Sequence, residues 1–125
     1  MADYTLGNNL RIQGGIHPSG WKRDSQGPTT FEAAVTRQFD ELEELLIRKH
    51  LNYGPKNILS SPGSPLMGLR VRIWDKLARI NHMLDHNVDD QVGESLLETF
   101  GDLANYAIIA RLVIRDEFGL PMEHA

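Results

Sequence analysis

The chain has 125 residues, 41% hydrophobic and 24% charged, with no cysteine and 13 Lys+Arg against 17 Asp+Glu for a net charge of −4. This describes one globular domain of the cytoplasm, and the missing thiols exclude a disulfide scaffold, a cysteine zinc site and a thiol nucleophile. The acidic balance argues against direct nucleic-acid binding, and no apolar run approaches the roughly 20 residues of a membrane span.

Residues 1–29 hold Gly7, Gly14, Gly15, Gly20 and Gly27 with Pro18 and Pro28 and no sustained periodicity. The sequence therefore predicts an irregular arm over 1–29 and an all-α domain over 30–125. In the arm, Leu10-Arg11-Ile12 has the character of a short strand, and Trp21 either anchors the arm on a partner surface or belongs to a loosely attached tail. Thr29-Thr30-Phe31-Glu32 has capping-box spacing and opens the series Phe31, Val35, Phe39, Leu42 and Leu46, which predicts a first helix to Leu51. Asn52-Tyr53-Gly54-Pro55 stops it, and a turn-forming loop of functional length runs to Ser64. Ser64-Pro65 reads as a cap with proline at the first helical position, opening a second helix to Leu84 with a stripe at Leu69, Ile73, Leu77, Ile80 and Leu84. The third helix is predicted from Val92 to Phe118, ahead of Gly119 and Pro121. The expected architecture is a helical bundle of three main helices with no sheet.

The third helix carries the chemistry. At 100° per residue, Glu94, Glu98 and Asp102 fall within an arc of about 80° that includes Asn105. The rest of its circumference is apolar, the mark of a buried helix, so three converging carboxylates need a cation to compensate them. Carboxylate oxygens suit Mg²⁺ or Mn²⁺. On the second helix Arg72, Asp75, Lys76 and Arg79 project within about 100°, the kind of mixed cationic face that a polyphosphate needs. On the first helix the wheel favours Glu43 for a site, while ExxE spacing favours Glu41 with Glu44; the choice stays open. Lys49 and the loop residues Tyr53, Gly54, Lys56 and Asn57 sit at a helix end suited to binding. His17, His50, His82, His86 and His124 are scattered without metal spacing, and solvated or capping roles are expected for them.

Three blocks carry a resemblance: Lys49 with Asn52-Tyr53-Gly54; Arg70-Val71-Arg72-Ile73-Trp74-Asp75-Lys76-Leu77-Ala78-Arg79; and Glu94-Ser95-Leu96-Leu97-Glu98-Thr99-Phe100-Gly101-Asp102-Leu103-Ala104-Asn105-Tyr106-Ala107. Over about residues 40–112 the chain resembles the phage and bacterial family called nucleotide modification associated domain type one. That family is similar in turn to the MazG-type all-α nucleoside triphosphate pyrophosphohydrolases, whose ExxE and ExxD carboxylates surround Mg²⁺. Here Glu98 and Asp102 stand four apart where those enzymes have three, and Glu94 is added.

The resemblance implies a MazG-like fold and a Mg²⁺-dependent hydrolase cleaving nucleoside triphosphates to monophosphate and pyrophosphate, in the host cytoplasm if phage-encoded. The expected metal ligands are Glu94, Glu98 and Asp102 with Glu43 or Glu44. Glu98, Asp102 and Asp75 are the catalytic candidates, and Lys49, Tyr53, Arg72, Lys76, Arg79 and Asn105 the substrate-binding ones. The alternative is a non-catalytic nucleotide-binding or phage-encoded interaction protein on the same scaffold. An almost wholly apolar helix among three needs more cover than one subunit offers, so a homodimer is expected.

Overall fold

The computed structural model describes residues 25–86 and 95–123, together with the backbone of 5–6 and 10–11. Within the arm, Leu10–Arg11 pairs antiparallel with Thr5–Leu6 as a two-residue ladder, while Ile12 and Trp21 lie outside the described residues. The remainder is helical: α1 (Phe31–Tyr53), α2 (Lys56–Leu59), α3 (Pro65–His86) and α4 (Leu96–Ile114). Among the described residues no helix is long and apolar enough to cross a membrane.

Side-chain caps set the helix starts. Thr30, one residue later than the predicted capping box, accepts from the Ala33 N–H at 3.2 Å, and Ser64 accepts from the Met67 N–H at 3.1 Å. At the end of α1, Gly54 adopts φ 67°, a left-handed conformation suited to glycine, and returns its N–H to the His50 carbonyl. The predicted loop contains a further element, the single turn α2, which buries Ile58. Gly68 is needed one turn into α3 because a Cβ there would fall on the Ser61 side chain.

Helix α4 departs most from expectation. It begins at Leu96, not Val92, because Ser95 is extended and forms a reciprocal capping box with Glu98. Glu94 lies outside the described residues, so α4 carries Glu98 and Asp102 of the predicted row. The helix ends at Ile114 instead of Phe118, since Asp116 turns left-handed at φ 57° and the Glu117 N–H reaches back to the Leu112 carbonyl. Phe118 is buried because this turn folds it back onto the bundle, which kept its apolar spacing while breaking the helix.

The core lies mainly between α3 and α4. One cluster joins Ile58, Leu69, Ile109 and Phe118, with Leu46 and Tyr106 against it; the other joins Ile80, Met83 and Leu96. Early α3 thus meets late α4 and late α3 meets early α4, an antiparallel pair. Helix α1 runs in the same sense as α4, with Asn105 on the Leu42 carbonyl and His50 on Phe118. It buries no residue fully, and Phe31, Val35 and Phe39 of its predicted core stripe are exposed.

Candidate functional site

A cavity of about 480 Å³ opens where the C-terminal half of α1, α2, the middle of α3 and α4 converge. Its polar lining comprises Lys49, Asn57, Arg72, Lys76, Asp102 and Asn105, and its rings are His50, Tyr53, Tyr106 and Phe118. Among the described residues Asp102 is its only carboxylate. Lys49 Nζ lies 3.2 Å from Asp102 Oδ1 and Lys76 Nζ lies 3.0 Å from Oδ2, so one carboxylate spaces two ammonium groups contributed by α1 and α3. The Asp102 side chain is only 16% exposed, where such pairs are less screened than at the surface.

Backbone contacts fix two more of these side chains. Arg72 donates through Nη2 to the Asn57 carbonyl at 3.2 Å, holding α2 to α3 and using one of the five guanidinium donors. Buried Asn105 donates through Nδ2 to the Leu42 carbonyl at 3.1 Å, which ties α4 to α1 and fixes the amide at the cavity wall. The His50 and Phe118 rings meet edge to face with centroids 4.9 Å apart.

Five of the six expected substrate-binding residues, Lys49, Tyr53, Arg72, Lys76 and Asn105, therefore share one cavity with Asp102. Arg79 does not line it; its Nε donates to Thr99 Oγ1 at 3.3 Å, and that fully buried hydroxyl donates to the Ser95 carbonyl at 2.9 Å. Asp75, Glu43 and Glu44 are exposed, with Glu44 paired to Arg48 at 3.3 Å. Glu98 accepts the Ser95 N–H at 2.9 Å as the second half of its cap.

An adjoining cleft between α1 and early α4 is lined by Glu41, Leu42, Leu45, Lys49, Leu97, Glu98, Phe100 and Asp102. Glu41, Glu98 and Asp102 offer the hard oxygens that Mg²⁺ prefers. Each already has a partner, Arg37 for Glu41, the Ser95 N–H for Glu98 and two lysines for Asp102, so an ion here competes with cations of the chain at Glu41 and Asp102 and with the helix cap at Glu98. Among the described residues, no three His, Asp or Glu side chains group to hold a metal.

Tyr106, Phe118 and His50 also line the cavity, three residues without an expected binding role. Their positions beside Asn105, past the α4 turn and beside Lys49 were the available signals. His82 and His86, expected to be scattered, are in fact spaced i,i+4 and bring their rings 4.5 Å apart on the last turns of α3. No family model, curated protein or solved structure matches the chain.

Proposed function

We propose that the protein binds a nucleoside phosphate in the α1–α2–α3–α4 cavity, in the nucleotide metabolism of the cytoplasm. The observation that carries this reading is the meeting of Lys49, Arg72 and Lys76 with Tyr53, Tyr106 and Asn105 around a space of about 480 Å³. Ammonium and guanidinium groups suit phosphate oxygens, aromatic rings suit a base, and a fixed amide suits its polar edge. Asp102 holds Lys49 and Lys76 in position before a ligand arrives, and a phosphate replaces it as their counter-charge.

A second reading, the Mg²⁺- or Mn²⁺-dependent MazG-like pyrophosphohydrolase, is favoured by the placement of Glu41, Glu98 and Asp102 on the cleft that shares Lys49 with the cavity. To hold the ion, these carboxylates would have to leave their present partners and converge, since they do not group as a ligand set among the described residues; the ion would supply a polarised phosphate and an activated water when bound. Lys49, Lys76 and Arg72 would orient the phosphate chain and stabilise charge on the leaving pyrophosphate.

One experiment separates the readings: calorimetric titration of ribo- and deoxynucleoside mono- and triphosphates in chelator, followed by product chromatography with Mg²⁺ or Mn²⁺. Binding without turnover is the expected result of the first reading, and monophosphate plus pyrophosphate that of the second. Absence of both binding and turnover refutes both. Arg72→Ala and Lys76→Ala are each expected to weaken binding by about tenfold or more, the loss of one charge-assisted contact.

A further inference from the structure

The run His82-Met83-Leu84-Asp85-His86 ends α3 with two imidazoles four residues apart, one above the other on the same side of the helix. Met83, between them in sequence, is buried with Ile80 and Leu96, which fixes the rotation of the helix end, and both histidines are exposed. Their ring centroids lie 4.5 Å apart with the planes tilted by 50°. Neither ring lines the cavity or its adjoining cleft.

This separation is the one a shared ion requires. A zinc–imidazole bond of about 2.1 Å places the ion roughly 3 Å from each ring centre, so two imidazoles that share it at roughly 90–110° have centres about 4.5–5 Å apart. Two histidines at i,i+4 on one helix face is also the spacing with which zinc enzymes hold their metal. Imidazole nitrogen selects Zn²⁺, Ni²⁺ and Cu²⁺ over Mg²⁺ and Ca²⁺, which prefer oxygen. The surroundings favour a cation as well: the last turn of α3 carries the negative end of the helix dipole, and exposed Asp85 adds its charge to that turn. Arg79, one turn earlier, is committed to Thr99 Oγ1 on α4 at 3.3 Å.

We propose that His82 and His86 form a two-histidine site for a divalent transition-metal ion such as Zn²⁺ at the C-terminal end of α3. Among the described residues no third His, Asp or Glu groups with them, so water fills the remaining coordination positions and the site is weaker than a four-ligand structural zinc, with a dissociation constant on the order of 10 µM. An ion bridging residues 82 and 86 clamps the turn that holds Met83 against Leu96 at the start of α4. Only the folded helix presents both imidazoles at this spacing, so the ion stabilises the fold by mass action. The inference concerns this helix end alone and is independent of what the cavity binds.

Calorimetric titration of the full chain, stripped with chelator, is expected to give one Zn²⁺ per chain, undisturbed by millimolar Mg²⁺. His82→Ala and His86→Ala should each weaken that binding about tenfold or more, because the second imidazole no longer acts at the high effective concentration its turn provides. The double variant His17→Ala/His124→Ala should bind as the parent does. Both target histidines are exposed and alanine is the better helix former, so the loss reports the imidazole and not unfolding, which helical circular dichroism checks. In thermal melts Zn²⁺ should raise the melting temperature of the parent and leave that of His86→Ala unchanged. The proposal is overturned by a parent that takes up no Zn²⁺ below 1 mM, a scale about a hundredfold above the expected constant. Binding that survives both alanine substitutions, or that the His17→Ala/His124→Ala variant loses, overturns it equally. So does Zn²⁺ that Mg²⁺ displaces, which would locate the ion among the carboxylates of the cleft.

Discussion

The C-terminal half of α1 places Leu46 against the core, Lys49 on Asp102 and His50 on Phe118. Its N-terminal half continues the same apolar spacing through Phe31, Val35 and Phe39, yet all three side chains are exposed. Helical periodicity records which side of a helix seeks apolar cover, and it is silent about which molecule supplies that cover. The covered half builds the cavity. The uncovered half is surface in the single chain, so substitutions in the two regions should differ in magnitude and in their response to protein concentration.

The largest effect is expected inside the bundle. Leu69 is 1% exposed within the cluster of Ile58, Ile109 and Phe118, so Leu69→Ala should lower unfolding stability by about 3 kcal/mol in denaturant titration, independently of concentration. Next comes Asp102→Asn, which leaves Lys49 and Lys76 facing each other without their shared carboxylate. It should lower stability by about 1–3 kcal/mol in chelator, discounted for a site that is not fully buried. An equal or higher melting temperature would instead identify Asp102 as a metal ligand whose charge is relieved by removal.

Ser95→Ala removes the cap of α4 and should cost about 1 kcal/mol by thermal melting. The smallest intrinsic effect is expected for Phe31→Ala in the uncovered half, within about 0.5 kcal/mol under dilute conditions. A larger loss appearing only as concentration rises would sharpen the contrast, because the side chain then matters to association and not to the fold of one subunit.

Most of the fold was legible where a local signal stood alone. Ser64 caps α3 ahead of Pro65, and Gly54 closes α1, as their residue types require. The structure differs from expectation where two signals overlapped. Ser95 and Glu98 form a capping box, which starts α4 at Leu96, whereas the carboxylate spacing of Glu94, Glu98 and Asp102 had suggested a helix already running from Val92. Phe118 kept a helical apolar interval although Asp116 had already turned the chain.

Within the site, the cationic residues were recognisable from their positions on two helices, and Lys49, Arg72 and Lys76 do meet. That both lysines meet on Asp102 depends on how α1 and α3 sit about α4, a long-range packing outcome that neither periodicity nor spacing encodes. The same limit applies to Tyr106 and Phe118, whose rings reach the cavity only once the α4 turn brings the chain back.

Asp102 and Lys49 belong to the walls of both the cavity and the adjoining cleft. An anion in the cavity that draws Lys49 toward itself frees one Asp102 oxygen, and the cleft then presents a stronger negative field to any cation. Conversely, a cation held by Asp102 releases Lys49 to the anion. The two compartments share a single movable charge, so occupancy of either should tighten the other by the same factor, as reciprocity between linked sites demands.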